Sequence, residues 1–177
     1  MLESLKILIL CVGSAVLYGI LHDQVTARVC VEYFTVGHPP IFNTESPTLL
    51  ALGWGVIATW WVGVMLAIPG ILVSRVGRWP KVTAAELVRP IAVLLVTMAV
   101  ASTLAGFAGY YLAITARVWL VDRLAEQMHH SKHAYFLADG FAHGAAYAVG
   151  FLGGIVLCGW ILFHRRNRAL ALITPAS

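Results

Sequence analysis

The sequence predicts an all-α integral membrane protein with four transmembrane helices, and three observations carry that expectation. Hydrophobic residues make up 60% of the 177-residue chain and charged residues only 11%, against about 25% charged in soluble domains. Four segments are apolar over the roughly 20 residues that a helix needs to cross a bilayer. Lysine and arginine gather in alternate connections, as a topology signal does. Residues 1–177 read as a single membrane domain.

The first helix is expected from about Leu5 to Leu21 and the second from about Thr48 to Val73. The third runs from about Leu87 to Ala113 and the fourth from about Gly140 to Phe163. Helices are the economical choice because backbone polar groups in lipid must be satisfied within the segment. Lys6 before an apolar run also resembles a secretory signal, but no small-x-small cleavage site precedes His22-Asp23, so the first helix is read as retained.

Orientation follows from the connections. The second holds Arg75, Arg78, Lys81 and Arg89, and the tail holds Arg165, Arg166 and Arg168. The outer connections, residues 22–47 and 114–139, balance their few basic residues with acidic ones. Both termini are therefore expected in the cytoplasm. The expected setting is a bacterial inner membrane, with the polar face toward the periplasm or exterior. Trp54, Trp79 and Trp119 fall near expected helix ends, where interfacial aromatics belong.

The net charge of +4 serves topology and implies no nucleic-acid partner; the bilayer itself is the expected partner. Cys11, Cys30 and Cys158 form no CxxC pair, which sets aside a four-span thiol–disulfide oxidoreductase. The pairs Gly140/Gly144, Gly150/Gly154 and Ala105/Gly109 have the four-residue spacing of close helix contacts. They admit a homo-oligomer through Gly-rich faces. Lys81 and Arg89-Pro90 differ in spacing from the opening motif of membrane phosphatidic-acid phosphatases, and no Ser-Gly-His follows.

The chemistry collects on the outer side. His22, His38, His129, His130, His133 and His143 lie there, with Asp23, Glu32, Glu45, Asp122, Glu126 and Asp139. If Val118 to Tyr135 is one amphipathic helix, Glu126, His129 and His133 fall at about 40°, −20° and 20° from Asp122. His130 sits at the edge of that stripe, at about 80°. Two histidines four apart can share a metal, as can a carboxylate and a histidine three apart. The same stripe also suits a solvated helix face. Asp139, His143 and Tyr147 form a second stripe at spacings of four. There His143 is expected about one turn inside the membrane, where ionisable groups face a cavity or the bundle interior. A structural Asp–His–Tyr hydrogen-bond chain is the plainer alternative.

The first outer connection, from His22 to Pro40, is too apolar for a free loop and too short to span. It is expected as an interfacial or re-entrant segment, helical or extended, with an Arg28–Glu32 pair. His22, Asp23, Glu32 and His38 are its candidate ligands, although each also suits a cap, an ion pair or a turn.

The stretch His22–Pro40, with Ser46-Pro47-Thr48 and the Asp139/His143 segment, resembles an uncharacterised family of small bacterial four-span membrane proteins to which no activity attaches. His129-His130-x-x-His133 resembles one histidine box of membrane desaturases and hydroxylases. Those enzymes need several boxes and more histidines than this face offers.

The expected function is a membrane-embedded metalloprotein with a His/carboxylate site open to the outer face. Its metal ligands would come from His129, His133, His143, Glu126, Asp122, His130, Asp23 and His38, with Glu32 and Asp139 in acid–base roles. The cofactor would be a divalent metal ion, zinc foremost, with iron or manganese as alternatives, because mixed nitrogen and oxygen donors suit those ions. A metal-dependent hydrolase or oxidoreductase acting on a lipid-phase or small substrate would follow. The alternatives are a proton- or cation-handling transport module, an accessory subunit of a larger membrane complex, and haem ligation by His22 and His143.

Overall fold

Four long apolar helical segments organise the computed structural model, which describes residues 1–173. Helix α1 covers Leu2–Val29, and the short α2 covers Glu32–Thr35. The second long segment comprises α3 (Pro47–Ile57) and α4 (Trp60–Arg75). Helix α5 spans Ala84–Ile114, and α6 covers Asp122–Gln127. A 3₁₀ turn at His130–Lys132 leads into α7, His133–Ala171. All four segments are long and apolar enough to cross a membrane. At 1.5 Å per residue α1 is about 42 Å long and α7 about 58 Å, against roughly 30 Å of hydrocarbon.

Local chemistry sets several of the boundaries. Thr83 starts α5 with a capping box, its hydroxyl accepting from the Glu86 backbone while the Glu86 carboxylate accepts from the Thr83 backbone. Pro47 occupies the first turn of α3, where its missing N–H costs no bond. The break between α3 and α4 falls at Ala58–Thr59, where the Thr59 hydroxyl donates to the Gly55 carbonyl at 2.5 Å. Such back-bonding bends helices. On α5, Val93, Val96, Val100, Leu104, Phe107 and Tyr111 recur every three or four residues and are all more than half exposed. That stripe suits contact with acyl chains rather than with protein.

Helix α1 packs on α3 and α4, and α5 packs on α7; α1 also reaches α5, and α4 reaches α7. Backbones approach most closely where glycine allows it. A Cβ built on Gly55 would lie 2.6 Å from the Ile20 Cα, and one on Gly63 would lie 2.7 Å from the Val12 Cα. On the other side of the bundle Gly109 receives Phe141, Gly150 receives Met98 and Gly154 receives Leu66. Gly140 and Gly144, by contrast, have open space beside them.

The bundle has two chemically different ends. At one, the Ala84 backbone donates to Glu3 at 3.2 Å and Arg168 bonds Glu86 at 2.8 Å. Arg165, only 2% exposed, donates to the carbonyls of Val73, Val76, Trp79 and Pro80. The start of α1, the connection before α5 and the end of α7 therefore share this basic end. The opposite end carries the connections after α1 and after α5. Lys132 and Glu32 join those two connections at 3.4 Å.

Two expectations about that second end are corrected. Residues 22–29 do not form a separate re-entrant segment but continue α1 as helix. Arg28 bonds the Gln24 carbonyl and side chain and the Thr48 hydroxyl, leaving Glu32 to Lys132 instead of the expected Arg28–Glu32 pair. Residues 118–135 are not one helix. Asp122 has φ +50, and Met128 and His129 are extended. Met128 is pulled into an apolar cluster with Cys30 and Phe136, which breaks the helical path.

Candidate metal centre

Helices α1 and α7 deliver the polar centre. His22 and Asp23 are successive on α1, so they project about 100° apart, His22 toward Ser102 on α5 and Asp23 toward His143 on α7. His143 Nε2 lies 3.2 Å from Asp23 Oδ1. His22, Asp23 and His143 each offer one donor atom, and these atoms lie within 4.8 Å of one another. Asp23 is 4% exposed.

The surrounding hydrogen bonds fix both imidazoles. His143 Nδ1 lies 2.9 Å from the Asp139 carbonyl, which can only accept, so Nδ1 carries the proton. Ser102 donates its hydroxyl hydrogen to the Ala142 carbonyl at 2.9 Å. Its oxygen is then left to accept from His22 Nδ1 at 3.4 Å. In the neutral tautomers both Nε2 atoms present lone pairs. The His22 Nε2 is buried without a hydrogen-bond partner. Two lone-pair nitrogens and a carboxylate thus face one another, an arrangement that repels unless a cation or protons lie among them.

A second aspartate stands beside the first. Asp139 is 2% exposed, its Oδ2 has no hydrogen-bond partner, and it lies close enough to Asp23 for the two carboxylates to interact. Among the described residues, neither aspartate pairs with a lysine or arginine. Carboxylates in an apolar interior are costly without compensation.

Aromatic rings wall the centre. Tyr33 stacks on His143 with centroids 4.6 Å apart, and Tyr18 stacks on His22 at 5.7 Å. The His22 and His143 rings meet edge to face at 4.4 Å. That spacing leaves no room for a porphyrin between them, so the haem arrangement does not fit. A cavity of about 560 Å³ begins at this cluster and continues between α1, α4, α5 and α7.

The remaining candidates fall in different places. Asp139 stands beside the cluster through its carbonyl. His38 lines the same cavity, but its Nδ1 lies 2.8 Å from the Tyr33 carbonyl and its ring packs on Trp54. Glu32 accepts from the Cys30 thiol at 3.4 Å and pairs with Lys132. Burial alone would raise the Glu32 carboxyl, yet its own backbone N–H, the thiol and Lys132 together hold it below the usual value. The Cys30 thiol is pushed up to about 12 by burial and by Glu32, so it is a packing group.

The sequence stripe does not stay together. His129 Nδ1 accepts from the Ser131 backbone and caps the 3₁₀ turn. His133 Nε2 lies 3.4 Å from the Met128 carbonyl, and the His130 ring sits 5.0 Å from that of His133. Asp122 and Glu126 are exposed on α6. Among the described residues these side chains form no donor cluster of three or more. Ser102 and Tyr33 were not singled out in the sequence, although a serine in the middle of an apolar helix is a signal of the same kind as His143. Comparison with known proteins finds no matching family model, curated protein or solved structure.

Proposed function

We propose that this chain is a membrane-embedded metalloprotein that holds one divalent cation with His22, Asp23 and His143. The observation that carries the reading is the convergence of two imidazole Nε2 atoms and a carboxylate oxygen at one point, with the His22 Nε2 buried and without a hydrogen-bond partner. Metal–ligand bonds of about 2.0–2.1 Å give a tetrahedral edge of about 3.3 Å. The His143–Asp23 separation of 3.2 Å already has that length. The third ligand has to close by at most about 1.5 Å, within reach of side-chain rotation.

Two nitrogens and one carboxylate oxygen suit zinc foremost, with iron or manganese next, and no thiolate takes part. Three protein ligands with one position open is the pattern of catalytic rather than structural zinc. Such an ion supplies Lewis acidity and an activated water. Ser102 and the Asp139 carbonyl hold the imidazoles in the tautomer that ligation needs. His22 lies seven residues from the end of α1, about 10 Å along the helix, so the site sits inside the bilayer near one face. Because the opposite end carries Arg75, Arg78, Lys81, Arg165, Arg166 and Arg168, we place the site toward the periplasm or exterior.

The test is elemental analysis of protein purified in mild detergent after growth with zinc, iron and manganese. About one divalent ion per chain is expected, falling at least tenfold in His22→Ala, Asp23→Asn and His143→Ala and unchanged in His129→Ala and His133→Ala. Background metal in the unmodified chain, or equal metal in all five variants, overturns the reading.

A further inference from the structure

The cavity below the cluster has a shape of its own. It runs from His22 on α1 to Ile7 on the same helix. Fifteen residues of helix at 1.5 Å make that about 22 Å. A volume of about 560 Å³ over this length is room for at least one hydrocarbon chain. An extended chain advances about 1.25 Å per carbon when C–C bonds of about 1.5 Å meet at tetrahedral angles, so the length accommodates about 17 carbons.

The walls match such an occupant. Below the His22/Asp23/His143 cluster the lining is almost wholly apolar, including Leu95, Met98 and Leu157. Apart from Ser14, the polar side chains gather at the His22 end. The cavity also reaches the flank of the bundle, because Met65 on α4 and Phe151 and Ile155 on α7 line it while remaining more than half exposed. An entrance between α4 and α7 would face acyl chains rather than water.

We infer that this cavity binds a single-chain lipid of about 16–18 carbons, entering sideways from the membrane, with its oxygen-bearing head group at the His22/Asp23/His143 centre. The inference rests on the metal reading for the head group and on the cavity for the chain. The open coordination position takes an oxygen of the head, and the tail lies against α5 and α7. One apolar run with its polar groups gathered mainly at one end matches an occupant with one tail and one oxygen-bearing head, the fatty-acid class.

The test uses the full chain in mild detergent with a C16 fatty acid carrying a mid-chain diazirine. After irradiation, adducts are mapped by peptide mass spectrometry, and metal content is measured on the same sample. Adducts at Leu95, Met98 or Leu157 that an excess of unlabelled palmitate removes, while those at exposed Val96 and Val100 persist, support the inference. Cys158→Phe and Ala15→Phe, both placed in the cavity wall, should lower the competable labelling at least fivefold at unchanged metal content. Labelling confined to Val96 and Val100 in a chain that carries its metal overturns this inference and leaves the metal site standing. Competable cavity labelling in a chain without metal overturns the metal reading, and with it the head-group contact.

Discussion

Replacing Gly55 by alanine tests the closest helix contact in the bundle. The added Cβ would lie 2.6 Å from both the Cα and the backbone nitrogen of Ile20 and 2.9 Å from the Gly19 carbonyl carbon. Carbon atoms rest comfortably at about 3.5–4.0 Å, so α1 and α3 must separate by about 1 Å. All three neighbours are backbone, so no side chain can swing away. Overpacking of this kind costs about 1–3 kcal/mol. Gly13→Ala is the matched control, because its new methyl group meets nothing within 4 Å. Both substitutions gain the same helix propensity, about 1 kcal/mol, so their difference isolates the clash. A difference of about 2 kcal/mol corresponds to about 4–8 °C in Tm for a chain of this size. Thermal unfolding in detergent should place Gly55→Ala that far below Gly13→Ala. Equal Tm values for the two variants would refute the argument.

Arg165→Met removes the donors to the Val73, Val76, Trp79 and Pro80 carbonyls. A loss of at least about 3 kcal/mol is expected, together with faster protease cleavage in the connection before α5. Lysine should not rescue it, since a single ammonium cannot reproduce the planar fork. Thr83→Ala breaks the capping box of α5 and should cost about 1 kcal/mol in the same unfolding assay. The Glu32 carboxyl is held low in the folded chain, so its contribution is present above the unfolded value of about 4.3 and is lost as pH falls through the lower folded value. The Tm gap between the unmodified chain and Glu32→Gln should therefore shrink on acidification from about pH 6 to about pH 3.

The four long helices were legible because apolar length alone predicts a span, and all four segments were found with their ends shifted outward. Legibility failed where tertiary packing decides local backbone. The stripe of Asp122, Glu126, His129 and His133 presupposed one continuous helix, and nothing local announces the extended backbone at Met128. That break depends on a cluster with Cys30, almost 100 residues away in sequence. Glycine spacing was informative in part. Gly109, Gly150 and Gly154 seat side chains of neighbouring helices, whereas Gly140 and Gly144 have the favoured interval and nothing beside them, and the tight backbone approaches at Gly19, Gly55 and Gly63 lie outside the pairs singled out by spacing. His143 was legible because an ionisable group expected at membrane depth is costly in any fold, whereas Asp23 stood only as one of several candidate ligands in the first outer connection. Their meeting was not legible, because residues 23 and 143 are joined only by the packing of α1 and α7 around α5.

The tight glycine contacts and the polar centre belong to one physical problem. A site for a small cation must hold its ligands within a few tenths of an ångström, and loops rarely do so. Here the three donors stand on helices whose backbones are locked elsewhere. Gly55 and Gly63 seat α1 against α3 and α4, while Gly109 and Gly150 seat α7 against α5. Ser102 then ties the two halves together at the level of the site, bonding the α7 backbone at Ala142 and the His22 ring on α1. Ser102→Ala should consequently weaken metal retention through loss of the His22 orientation, with little change in Tm, whereas Gly55→Ala should lower both. Metal content unaffected by Ser102→Ala would mean that the ring is held by its stacking with Tyr18 and its contact with His143, not by the serine.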